Sequence, residues 1–149
     1  MEITRRCDYA CRIIRAAYQQ KDSFCSIAQV AQEEDIPYSF ARSIQHELVK
    51  AGILKTSRGV RGGLMLNCDP TQTTLKEVVE AVQGPVNIAP CSLDPEYCLR
   101  SNSCSFNVAW CGLDVLIDSY LSSITLFDLF ELKENHPVIC EALHKKKLS

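Results

Sequence analysis

Apolar side chains recur along the first third of the chain at the spacing of a helix. Cys7, Ala10, Cys11, Ile14, Ala17 and Tyr18 fall on one stripe of 3.6-residue period, predicting a helix that starts after Thr4 as its cap. Its other face carries Arg5, Asp8, Arg12 and Arg15, and the four-residue spacing of Asp8 and Arg12 suits a surface ion pair. A second, short helix is expected from Ser26, where Ser-Ile-Ala-Gln reads as a capping box, to about Glu34, before Asp35-Ile36-Pro37 breaks it. A third opens near Tyr38 or Ser39, keeps Phe40, Ala41, Ile44, Leu48 and Val49 on its apolar side, and stops at Gly52. Residues 53–57 and 64–67 then read as short strands around the glycine-rich turn Arg58-Gly59-Val60-Arg61-Gly62-Gly63. A hairpin placed directly after two helices and a tight turn is the wing of a winged helix-turn-helix.

Beyond Asp69-Pro70, Thr74-Leu75-Lys76-Glu77 forms another capping box and opens a helix that runs through Val82 to Gly84-Pro85. Residues 105–121 are apolar around most of a helix: Phe106, Val108, Ala109, Trp110, Leu113, Val115, Leu116, Ile117, Tyr120 and Leu121. One small domain does not need so much apolar surface, so this helix is expected to pack also on a second copy of the chain, as a homodimer. A last regular helix is expected over 125–134, with the Lys145-Lys146-Lys147 end frayed. The expected fold is mainly α with a small β-hairpin wing. Residues 1–84 are read as the winged helix-turn-helix domain, 85–104 as linker and cysteine loop, 105–134 as dimerisation helix and C-terminal helix, and 135–149 as tail.

Charge sharpens this division. The chain of 149 residues has net charge -2, yet residues 1–61 hold ten Lys+Arg against seven Asp+Glu and the remainder six against eleven. An anionic partner is therefore met by the N-terminal part. Tyr38, Ser39, Arg42, Ser43 and His46 form the exposed side of the third helix, positioned to meet base edges and phosphates of double-stranded promoter DNA. Arg58 and Arg61 at the wing tip reach the backbone or a minor groove. No Cys/His pair, hydrolase elbow or phosphate-binding loop points to an enzyme.

Nine cysteines in a chain without an export signal or a bilayer-spanning run suggest a cytoplasmic protein with reduced thiols, where clustered cysteines are ligands or sensors. Cys91, Cys98 and Cys104 lie in a short polar loop with no packing reason to be together. Such a loop suits an iron-sulfur cluster; a zinc ion, or thiol redox chemistry without metal, is the alternative. Cys7 and Cys11 sit on a core stripe, Cys111 is roughly 10 Å along its helix from Cys104, and Cys25, Cys68 and Cys140 have no partner pattern. His46, His136 and His144 read as surface residues.

The run from Ser39-Phe40 through Leu48-Val49-Lys50-Ala51-Gly52-Ile53-Leu54, continued by Ser57-Arg58-Gly59-Val60-Arg61-Gly62-Gly63-Leu64-Met65-Leu66, closely resembles the Rrf2 family of winged-helix transcription regulators. Ile3-Thr4, the cysteine loop, the Trp110 helix and Ser123-Ile124-Thr125-Leu126 resemble it too. The loop selects the cluster-binding branch, typified by the IscR and NsrR groups. The resemblance implies a dimeric repressor that binds promoter DNA and senses nitric oxide, iron supply or redox state through a [2Fe-2S] or [4Fe-4S] cluster. It implies ligands at Cys91, Cys98 and Cys104. The IscR group takes its fourth from a histidine where this chain has Asn107, whereas the NsrR group uses a first-helix aspartate of the other subunit, matching Asp8.

Overall fold

Helix α1 (Arg5–Gln19) lies at the centre of the fold in the computed structural model, which describes residues 2–21 and 23–147. Thr4 caps it as expected, its hydroxyl accepting from the Cys7 N–H at 3.2 Å. Cys7, Ala10, Ile13, Ile14 and Ala17 are completely buried, so one side of α1 is dry against helices α3 (Tyr38–Lys50) and α4 (Leu75–Gln83) and strand β2 (Gly63–Leu66). The small side chains on that side let the neighbours approach, and each buried Ile contributes about 1.5–3 kcal/mol.

Helix α2 (Ile27–Glu33) forms, but without the expected capping box: Ser26 makes no side-chain cap, and Gln29 reaches forward to Glu33 at 2.7 Å. The chain enters α2 from a backbone pair with β2, Cys25 N–H to Leu64 O at 2.9 Å and Leu64 N–H to Cys25 O at 2.8 Å, which sets its direction instead. Helix α3 buries Ala41, Ile44 and Leu48. Phe40, expected in the core, is 45% exposed and rests edge-on against Tyr9, because the buried side of α3 is only three residues wide. Gly52, at φ 77°, closes α3 with the Ile53 N–H bonded to Leu48 O at 3.0 Å.

The wing pairs strand β1 (Leu54–Ser57) with β2 in antiparallel register, Leu54 opposite Leu66 and Ser57 opposite Gly63. Leu54 and Leu64 anchor its base in the core. Gly63 is required there: with φ 151°, a Cβ on it would lie 2.3 Å from the Cys25 carbonyl oxygen. Helix α4 starts on the expected capping box, Thr74 and Glu77 bonding each other's backbone N–H, and ends at Gly84.

The linker leads through a short helix, α5 (Pro90–Leu93), and a 3-10 turn, Ser101–Ser103, into the long helix α6 (Ser105–Ser122). Only Leu121 of α6 is buried within the chain, and an ion pair of Lys76 with Asp118 at 2.5 Å ties it to α4. Among the described residues no helix is long and apolar enough to cross a membrane.

The C-terminal part differs from expectation. In place of a regular helix over 125–134, the chain makes a π-helical turn, Asp128–Leu132, and a 3-10 turn, Lys133–Asn135, with Lys133 at φ 51°. The widened turn presents Phe130 to the ring of Tyr18 at 4.8 Å and Glu131 to its hydroxyl at 2.7 Å. The expected tail 135–149 instead forms helix α7 (Pro137–Lys147), with Pro137 at its first position and Val138 and Ile139 half-buried; residues 148 and 149 lie outside the described residues. His136, expected at the surface, is buried, with Nε2 3.6 Å from Asp128.

Replacing Gly63 by Ala should lower stability by about 1–3 kcal/mol through overpacking against Cys25, read as a lowered urea midpoint with the slope unchanged. Asp128 supplies a pH-dependent contribution. The Thr125 N–H, then the Thr125 hydroxyl and His136, hold its carboxyl below the usual range against the opposing effect of burial. Its contribution, about 1 kcal/mol as a cap, is present above the unfolded value of about 3.9 and lost as pH falls through the folded value. The stability gap between wild type and Asp128→Ala should therefore close below pH ~4 in urea titrations.

Candidate functional site

Two features stand out, a cationic face on the N-terminal domain and the cysteine loop. On α3, Tyr38, Ser39, Arg42, Ser43 and His46 are all exposed, and so are Arg58 and Arg61 on the wing. Among the described residues Arg42, Arg58 and Arg61 have no ion-pair partner. Their charges are unneutralised and open to an anionic ligand. A small groove of about 120 Å³, lined by Arg42, Gln45, His46, Val49 and Thr56, joins this face of α3 to the first wing strand. Gln45 and Thr56 escaped the sequence reading, since only packing places a strand residue beside the helix.

Ser43 is already engaged, accepting from Arg6 at 3.2 Å, and the same guanidinium pairs with Glu47 at 2.7 Å. Arg6 thereby fixes α3 against α1, while the other Glu47 carboxylate oxygen is buried without a partner.

Asp8 lies on the outer edge of α1, half exposed, and pairs with Arg12 at 2.7 Å. The other arm of the Arg12 guanidinium donates to the Glu34 carbonyl at 3.1 Å, and Arg15 pairs with the Glu34 carboxylate at 2.6 Å. Glu34 ends α2, one residue before Asp35, which takes φ 53° in the turn of the helix-turn-helix. Arg12 also lies over the Tyr9 ring at 5.7 Å, and Tyr9 meets Phe40 of α3. Asp8, Cys11, Arg12, Arg15, Tyr18 and Phe130 line an open groove of about 1170 Å³ beside α1.

The cysteine loop is tied down at its start and its end. Cys91 sits in α5, half-buried; Cys98 is exposed; Cys104 is the N-cap residue of α6. Asn107, at the position of the IscR-type histidine, donates through Nδ2 to the Cys91 carbonyl at 2.9 Å. Asp114 of α6 accepts from the Ile88 N–H at 2.7 Å and from the Ser92 hydroxyl, holding α5 on α6. Asp114 is one of two carboxylates on this mostly apolar helix, and its partners, 22 and 26 residues away, kept its anchoring role out of the sequence reading. The Ser101 hydroxyl, between Cys98 and Cys104, is buried without a partner among the described residues.

All nine cysteines are free thiols, and among the described residues no three His, Cys, Asp or Glu side chains are grouped closely enough to hold a metal ion. The structure thus brings Cys91 and Cys104 to the same end of α6 and leaves Asp8 on α1 with Arg12. Cys7 and Cys11 hydrogen-bond each other on α1; that bond and burial push the Cys11 thiol up, and burial does the same to Cys25 and Cys68. In metal-free native protein, alkylation followed by mass spectrometry should accordingly modify Cys98 first and Cys25 and Cys11 late. Asp114→Ala should speed Cys91 by releasing α5, leaving Cys25 unchanged.

Comparison with known proteins places this arrangement. Residues 3–132 match the family model described as Rrf2, iron-dependent transcriptional regulator. The chain is similar to the HTH-type transcriptional regulator NsrR of Shouchella clausii, 27% identical over 135 residues that cover 90% of this chain and 87% of that one. It is similar also to the HTH-type transcriptional regulator IscR of Yersinia pseudotuberculosis, 28% identical over 130 residues that cover 87% and 79%. Among solved structures, CymR (YrzC), the global cysteine regulator of B. subtilis, superposes with TM-score 0.71 at 20% identity over 89% of this chain and 98% of that one. T. potens IscR superposes with TM-score 0.71 at 18% identity over 92% and 91%.

Proposed function

The chain belongs to the Rrf2 family of DNA-binding transcriptional regulators, and on that premise we propose that it is a cytoplasmic homodimeric repressor that senses nitric oxide, iron supply or redox state through an iron-sulfur cluster. The observation that carries this reading is the loop: three free thiols, Cys91, Cys98 and Cys104, on a segment anchored to α6 by Asn107 and Asp114. The donor set fits such a group, since three thiolates and a carboxylate suit iron, and the buried Ser101 hydroxyl has no partner among the described residues. The family description as iron-dependent and the similarity to NsrR and IscR point the same way. Asn107 is occupied with the Cys91 carbonyl, which favours Asp8 as the fourth ligand.

When bound, the cluster supplies a centre that reacts with nitric oxide and oxidants. Asp8, as its fourth ligand, would join it to the reading domain. Arg12 joins Asp8 to the Glu34 carbonyl at the turn before α3, so a change of partner at Asp8 acts on the helix-turn-helix through one side chain. Tyr38, Ser39, Arg42, Ser43 and His46 read the major groove, while Arg58 and Arg61 hold the duplex beside it. A homodimer covers α6, where Phe106, Val108, Val115 and Leu116 are 69%, 72%, 67% and 68% exposed, and it sets the spacing of the two reading helices.

A second reading keeps the fold and the DNA but replaces the cluster by thiol redox chemistry or zinc. It is favoured by the absence of a grouped ligand set among the described residues and by the shared fold with the cysteine regulator CymR. Anaerobic purification separates the two. The cluster reading expects a brown protein whose visible absorbance is lost in Cys91→Ser, Cys98→Ser and Cys104→Ser but kept in Cys140→Ser, and whose affinity for promoter DNA changes on adding nitric oxide or removing iron. A colourless protein, with zinc or thiols alone, supports the second. In either case Arg42→Ala should cost about 1–3 kcal/mol at one base position, while Arg58→Ala should weaken all sites evenly and reduce the salt slope by about one.

A further inference from the structure

The wing tip carries one side chain that neither turn chemistry nor phosphate binding explains. The hairpin is shaped by glycines: Gly59 at φ 106°, Gly62 with its N–H on the Gly59 carbonyl at 3.0 Å and no room for a Cβ beside Ser57 O, and Gly63 against Cys25. Between them stands Val60. Its relative exposure of 107% is the highest of any large apolar residue described, at a position where turns ordinarily place Asn, Asp, Ser or Gly. Fully exposed, it gains nothing from burial within the fold, and among the described residues Arg58 and Arg61 on either side are exposed and have no ion-pair partner. The groove through Thr56 continues the reading face of α3 onto β1, the strand that runs out to this tip.

We propose that Val60 is a specificity-determining residue, reading the floor of the minor groove by excluding the guanine 2-amino group. The proposal rests on the DNA-binding reading above and adds to it which chemical group the wing senses. In the minor groove A·T and T·A pairs present only the acceptors adenine N3 and thymine O2, whereas G·C adds the N2–H₂ donor at the centre of the floor. A guanidinium responds to the negative potential of a narrow groove and tolerates either pair where the width allows. An isopropyl group does the opposite. It has no acceptor for the amino group, occupies the volume into which that group projects, and strips its water, while against sugar edges and an A·T floor it meets no projecting group and costs less. Arg58 and Arg61 then supply attraction that is blind to the amino group, and Val60 supplies the discrimination.

The test uses the full chain and duplexes selected by it from a randomised pool. Wing-facing pairs are located as those whose sugars lose hydroxyl-radical protection in the Arg58→Ala, Arg61→Ala protein. At those pairs A·T, G·C and I·C are compared, inosine differing from guanine only in lacking the 2-amino group. Wild type should bind A·T and I·C alike and G·C about five- to tenfold more weakly, within the range of a single disfavoured pair. Val60→Ser, at an exposed site that leaves the fold intact, should bring the G·C to I·C ratio near one with an unchanged salt slope; Arg61→Ala should lower the salt slope and keep the ratio. Equal wild-type affinity for G·C and I·C, or a ratio that persists in Val60→Ser, overturns the role of Val60 while leaving the regulator standing. No salt-dependent binding to any duplex overturns the regulator and this proposal together.

Discussion

Arg12 holds two elements at once, and the coupling proposed between the cysteine loop and the DNA-binding domain depends on it. One arm of its guanidinium pairs with Asp8 on α1, the other with the carbonyl of Glu34 at the end of α2. The energy involved is small: the Asp8 side chain is half exposed, and such pairs contribute on the order of 0–1 kcal/mol. Stability comes instead from the dry side of α1, where Ile13 and Ile14 are fully buried against α3, α4 and β2. In the proposed function that difference in scale suits a switch. The core fixes where α1 lies, while a weak, exposed polar link joins its outer edge to the helix-turn-helix turn, and a ligand that took Asp8 from Arg12 would change that link without unfolding the core.

The same separation runs through the rest of the chain. Cationic residues with no ion-pair partner among the described residues, Arg42, Arg58 and Arg61, lie on α3 and the wing, and the acidic excess lies beyond residue 61. Acidic residues of the second part do structural work: Asp114 anchors α5, Asp118 pairs with Lys76, and Asp128 caps the turn after Thr125. In the proposed dimer α6 lies between the subunits, and the loop at its N-terminal end is where a sensing site can act on both.

The winged domain was legible in the sequence because most of its local signals agreed with the packing. Thr4, Thr74, Gly52 and the hairpin glycines sit where capping and turn chemistry require them. What failed was local logic overruled by tertiary contact. Ser26 lost its capping box because Cys25 is held by β2, and residues 128–132 widened into a π turn to meet Tyr18. The tail forms α7, opened by Pro137 with Val138 and Ile139 half-buried. Of the candidate site, the exposed side of α3 that is proposed to read DNA was recognisable from helical spacing. Arg6, Gln45, Thr56 and Asp114 were not, since their partners are distant in sequence.

Asp8 is the point at which the loop and the DNA-reading domain would meet, so the most direct measurement is made on Asp8→Ala protein purified without oxygen. Its visible and electron paramagnetic resonance spectra are compared with wild type, and its DNA affinity is measured before and after nitric oxide. The account predicts an altered cluster spectrum and a DNA affinity that no longer responds. An unchanged spectrum together with an undiminished response would contradict it.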